Sequence, residues 1–227
     1  MGNELVTIEW KREQLWKGCI LSSIAHAIMV AHYPNLSNEH SWDGINYSVQ
    51  DTQGSRGTVT FHSDCMVAAF RNDKSERLAA RGNAINAIQY FDGAPQNVLK
   101  IAEKEALQYL LDDINGNDIP LITTAFWGIG DDVFSVDTVD NMLINGGELL
   151  EIQILDEKEA IAAWREYYDM SDEQCYLLTL IYRRKIGNPS EEIVLSKDEI
   201  AMIGTDEQEG LDESKISFGE IGIVWES

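Results

Sequence analysis

Cys19 and His26 are the two residues of this chain most readily posed as a nucleophile and its base. They stand seven apart in a stretch that reads as helix, which puts them on one face about 10 Å apart along the axis. A thiolate needs its base within hydrogen-bond reach, so neither can serve the other, and each would need a partner delivered by folding. His62 and Cys65 form the second such pair, inside His62-Ser63-Asp64-Cys65. Those four residues hold three potential zinc ligands. A structural zinc takes four, normally from two clusters, and no second cluster follows. His26, His32, His40 and His62 match no ligand spacing, so no metal and no cofactor is expected. Free cysteine is among the most buried residue types, and the competing reading of both thiols is simply core.

Two further stretches imitate known sites. Asp113, Asn115 and Asn117 sit at the first, third and fifth places of a calcium loop, but Asp118 replaces the required glycine and Thr124 the closing glutamate. A turn that ends a helix explains them better. Gln53-Gly54-Ser55-Arg56-Gly57 has the glycines of a phosphate cradle without the Lys-Ser/Thr pair, and reads as a hairpin turn. Arg56 is nonetheless an unusual cation in so acidic a chain, and exposure beside Asp51 would make it a recognition residue. Trp42, next to Asp43 in a polar stretch, is the best candidate for an exposed aromatic anchor, since tryptophan is enriched in binding hot spots.

Charge is the strongest compositional signal. The 227 residues carry 39 acidic and 17 basic side chains, a net of −22. Residues 1–136 hold 17 acidic and 10 basic, while residues 137–227 hold 22 and 7. A field of this sign repels nucleic-acid backbones and anionic lipid and attracts cationic partners. The longest basic cluster, Arg183-Arg184-Lys185, suits the negative end of a helix dipole and has no aromatic stacking platform. Nucleic acid and membrane are therefore excluded as partners. The odd cysteine count, with Cys19, Cys65 and Cys175 far apart, argues for a reducing compartment. The apolar run 19–31 is short and broken by Ser22, Ser23 and His26, unlike a signal segment, so a cytoplasmic location is expected.

The elements that would position these residues follow from periodicity. Trp10 to Tyr33 reads as a helix halted by Pro34. Residues 45–49, 58–62 and 65–70 read as three strands of an antiparallel meander packed on that helix. Beyond Pro95 the pattern is mainly helical: 95–110, 135–145, 156–168 and 171–185, the last opened by a Ser171/Gln174 capping box. Residues 191–195 and 216–225 read as strands, with the acidic stretch 205–213 between them as a loop. The fold class is α+β: an N-terminal helix on a small antiparallel β-meander, then a mainly helical C-terminal half ending in one or two strands. A boundary at Asp92-Gly93-Ala94-Pro95 divides residues 1–93 from 94–227, although the late strands need partners and leave one continuous domain open.

Two functions fit this reading. The first is an acidic binding protein engaging a basic protein partner through Asp206, Glu207, Glu209, Asp212 and Glu213, with Trp42, Asp43 and Arg56 as contact residues. In size and acidity it is comparable to immunity and inhibitor proteins, an analogy of class alone. The second is a cysteine-dependent enzyme using Cys19 or Cys65 with His26 or His62. Its mark would be a thiol titrating well below about 8.5.

Overall fold

The computed structural model describes residues 5–79 and 86–226. The fold is α+β, built as two compact units that are each discontinuous in sequence. Unit 1 comprises residues 1–14 and 45–151, and unit 2 residues 15–44 and 152–227. The Asp92–Pro95 stretch lies inside unit 1, at the turn before a helix.

Unit 1 is organised on an antiparallel sheet. Its strands are β1 (Val6–Ile8), β3 (Asn46–Gln50), β4 (Ser55–Phe61), β5 (Cys65–Asn72), β8 (Thr124–Ile129) and β9 (Asp132–Ser135); β2 (His40–Asp43) belongs to unit 2. The spatial order is β1-β9-β8-β5-β4-β3, all antiparallel. The expected meander is thus its β3-β4-β5 portion. One face carries Cys65, Val67, Ala69, Ala125 and Trp127 against Phe91, α3 (Gln96–Lys104) and Leu107. The opposite face stacks Phe70 on Phe126, with Trp10 edge-on to Phe126 at 5.4 Å. Burial on both faces explains why β5 reads as an unbroken apolar run. Gly57 lies within β4 and not in the preceding turn: a Cβ there would sit 2.0 Å from the Phe70 ring.

Unit 1 also holds α2 (Glu76–Ala79), α4 (Val139–Ile144), and the hairpin of β6 (Leu111–Ile114) and β7 (Asn117–Pro120). That hairpin corrects the reading of Asp113–Asp118 as a helix-ending turn. Asn115 at φ 58° and Gly116 at φ 82° supply the two positive angles that a two-residue type I′ turn demands. The Asp113 carboxylate accepts the Gly116 N–H at 2.7 Å, so its role is to close the turn.

Unit 2 surrounds α1 (Arg12–Met29), which from Gly18 onward is buried on every side rather than amphipathic. Its polar residues are satisfied internally: the Ser22 and Ser23 hydroxyls donate to the Gly18 and Cys19 carbonyls at 2.9 and 2.8 Å. Unit 2 also holds α5 (Glu157–Tyr168), α6 (Asp172–Gly187), β10 (Ile193–Leu195), α7 (Lys197–Ala201), α8 (Gln208–Glu220) and β11 (Ile223–Trp225), the last parallel to β10. Caps set the helix starts. Asp156 caps α5, while Ser171/Gln174 and Ser196/Glu199 form capping boxes on α6 and α7.

Of the acidic stretch 205–213 expected as a loop, residues 208–213 form the start of α8 while 205–207 precede it, and of the strand expected over 216–225 only Ile223–Trp225 is extended. The physical reason is a seam of small residues at helical spacing. Gly210, Ser214 and Ser217 are buried, and the Ser214 hydroxyl donates to the Ala27 carbonyl at 2.5 Å. Among the described residues no helix is long and apolar enough to cross a membrane.

Candidate functional site

Cys19 is fully buried in α1, and burial holds its thiol well above the ordinary range. His26 turns elsewhere: its Nε2–H donates to the Leu36 carbonyl at 3.0 Å, and its ring lies 5.2 Å from that of His40. His40 meets Trp164 edge-on at 5.3 Å. Burial lowers the pKa of both imidazoles, for His26 against the opposing hydrogen bond to Leu36, and for His40 with a further push from His26. In unit 1, Cys65 is buried at the start of β5, and burial raises its thiol despite the nearby Arg12. His62 flanks the β4–β5 turn: its carbonyl accepts from Arg12 and its Nδ1 faces the Asp64 N–H at 3.4 Å. No cluster of metal-ligating side chains exists among the described residues.

Two buried neutral imidazoles make unit 2 sensitive to acid. Their folded pKa values lie below the unfolded value near 6.5, so above that pH neither state binds the proton and stability is full. As pH falls through 6.5 the unfolded chain takes up protons that the folded chain refuses, costing up to about 1.4 kcal/mol per pH unit per imidazole. Thermal unfolding between pH 8 and pH 5 is expected to show a plateau above 6.5 and a decline below it. A melting temperature that stays level down to pH 5 would contradict the buried, neutral assignment.

Trp42, expected as an exposed anchor, is half-buried against the unit 2 core. Its indole N–H donates to Ser23 Oγ at 2.7 Å and its backbone N–H to Glu220 Oε2 at 2.8 Å. Asp43 beside it is exposed. Arg56 is partly buried in β4, facing Arg71 of β5 across the ladder. Asp51 is not its partner, for that carboxylate closes the turn by accepting the Gln53 and Ser55 N–H groups, each at 2.8 Å. The local charge balance instead runs through Arg71, which pairs with Asp73 and Asp112 at 2.5 Å each. Its hydrogen bond holds the Asp112 carboxyl below the usual range, with Arg56 adding to the effect.

The acidic group is better placed. Asp206 and Glu207 precede α8, and Glu209, Asp212 and Glu213 occupy its first two turns; all but the half-buried Glu213 are exposed. Carboxylates here complement the positive end of the helix dipole. Among the described residues none of the five has a cationic side chain within ion-pair distance. Unit 2 as a whole holds 20 acidic and 8 basic residues, and unit 1 holds 19 and 9. The acidity is therefore shared by the units, and what distinguishes α8 is local concentration without neutralisation.

Sequence reasoning missed one concave feature. An open groove of about 380 Å³ runs between the first turn of α6 and α7, lined by Asp172, Glu173, Tyr176, Asp198, Ala201 and Met202. Tyr176 is 60% exposed, although α6 buries Leu177, Leu178, Ile181 and Tyr182. Asp172 pairs with Arg165 at 2.6 Å, both groups largely in solvent. The available signals were an aromatic on the polar face of α6 and the Ser196/Glu199 capping box that begins α7.

No family model matches the chain, and neither the curated proteins nor the solved structures include a significantly similar one.

Proposed function

We propose that this is a non-enzymatic binding protein that engages a basic protein partner through the acidic surface of unit 2, in the manner of an immunity or inhibitor protein. The observation that carries the reading is the register of α8. Its seam of Gly210, Ser214 and Ser217 is buried, which commits Glu209 and Asp212 to solvent beside Asp206 and Glu207. A concentrated, unneutralised field of this kind accelerates encounter with cations and selects against anionic surfaces. Neither thiol offers a competing chemistry, since Cys19 and Cys65 are buried and held protonated.

The test is the charge-neutralised variant Asp206→Asn/Glu207→Gln/Glu209→Gln/Asp212→Asn/Glu213→Gln. Binding of a fluorescent Arg/Lys-rich peptide and of a small basic protein is measured at 50 mM and 500 mM salt. The native chain is expected to bind more weakly at high salt, as screening of exposed charge requires. The variant is expected to lose roughly tenfold or more in affinity at low salt, mostly through association rate, and little at high salt. Equal affinity of the two proteins at 50 mM salt would refute the proposal.

A further inference from the structure

We infer that the groove between α6 and α7 receives an arginine side chain of that basic partner; this inference rests on the acidic-partner reading above. The groove has the three components that such a side chain uses. Tyr176 presents an accessible aromatic ring, on which a guanidinium stacks through cation–π attraction. Ala201 and Met202 supply apolar surface for the methylene stem. Asp172, Glu173 and Asp198 stand on the same lining as acceptors for a planar fork of N–H donors.

The molecule itself demonstrates the pairing at one wall. The Arg165 guanidinium already lies 2.6 Å from Asp172, and with both groups exposed the contact is weak enough to be shared or exchanged. Glu173 and Asp198 have no cationic side chain within ion-pair distance among the described residues, so the remaining carboxylates are open to an incoming cation. At about 380 Å³ the groove lies near the small end of ligand pockets, the scale of one long side chain rather than a folded element. Arginine is favoured over lysine. The guanidinium is flat, weakly hydrated and able to stack while it bonds, whereas an ammonium is a compact and strongly hydrated charge.

The experiment titrates the full chain, followed by amide and aromatic NMR shifts, with the peptide acetyl-Gly-Arg-Gly-amide. The lysine and citrulline versions serve as comparisons. The arginine peptide is expected to move the resonances of Tyr176, Asp198 and Met202 saturably, with lysine weaker and neutral citrulline weakest. Tyr176→Ala, at an exposed position that leaves the core of α6 intact, is expected to weaken it about 3- to 30-fold. Asp198→Asn should weaken it too, while the α8 charge-neutralised variant should bind the peptide as the native chain does. Shifts absent from the groove, or equal for arginine and citrulline, would overturn the assignment. If the basic protein binds with the expected salt dependence but ignores Tyr176→Ala, the groove is refuted and the acidic-surface reading stands. If the peptide fills the groove while α8 neutralisation leaves the basic protein's affinity unchanged, the α8 reading fails and the groove survives.

Discussion

Gly210→Ala is expected to destabilise unit 2 by about 2 kcal/mol or more, at the upper side of what overpacking a tight contact costs. A Cβ at this position would lie 2.0 Å from the Ala31 carbonyl oxygen and 2.7 Å from its carbon. Those are backbone atoms of the turn that follows α1, and they cannot swing aside as the tip of a side chain would. Alanine's better helix propensity returns up to about 1 kcal/mol, which is too little to offset the displacement of a whole helix. The melting temperature should fall by about 4–10 °C for a chain of this size. Gly219→Ala is the matched control, since a Cβ there meets nothing within 4 Å and the same propensity gain is unopposed. It should be neutral or slightly stabilising. The functional consequence separates the two variants further. Gly210 seats the turn that carries Glu209, Asp212 and Glu213, so its substitution should weaken binding of a basic protein as well as lower stability. If Gly210→Ala melts like Gly219→Ala, the close approach of α8 to α1 is not the feature that orients the acidic face.

The same seam explains what could be read along the chain and what could not. Helices announced by local chemistry were legible: Asp156 before α5, and the Ser171/Gln174 pair before α6. So were strands long enough to alternate, such as β3 and β4. The acidic run 205–213 looked like a loop because its carboxylates are solvated and its small residues resemble a linker. The spacing of Gly210, Ser214 and Ser217 acquires meaning only when the Ala27 and Ala31 carbonyls come within reach from almost two hundred residues away. Strands β6, β7 and β9 are four residues long and contain Asp112, Asp113, Asp118 and Asp132, a residue type that strands disfavour. Their pairing depends on turns, Asn115-Gly116 and Gly130-Asp131, rather than on propensity. Trp42 shows the opposite error. Its neighbours are polar, yet a long-range hydrogen bond to Ser23 and the apolar body of unit 2 draw it inward. The groove was invisible for a related reason: its walls lie more than twenty residues apart in sequence and meet only in the fold.

Arg77→Ala is expected to cost about 3–5 kcal/mol, the range for stripping the partner from a buried charge. Asp137 is only 8% exposed, and its two oxygens take Arg77 at 2.7 and 2.8 Å. The Thr124 hydroxyl adds a third bond at 2.6 Å. Arg77 in turn donates to the Thr123 carbonyl at 2.7 Å and lies 5.7 Å over the Tyr90 ring. Removing the guanidinium leaves a carboxylate with hydroxyl help but no countercharge. The reverse deletion is milder: the Arg77 side chain is 27% exposed and can reach water once Asp137 is gone. The two single substitutions should therefore be unequal, with Asp137→Asn losing less than Arg77→Ala. The double variant Arg77→Met/Asp137→Asn should then recover part of the loss, because it leaves no unpaired ion behind. Urea unfolding of the four proteins measures this directly. An Arg77→Ala variant within 1 kcal/mol of the native chain would mean that Asp137 is solvated rather than held. The bidentate pair, which ties β8, the segment after β9 and α2 together, would then add nothing to the stiffness of unit 1.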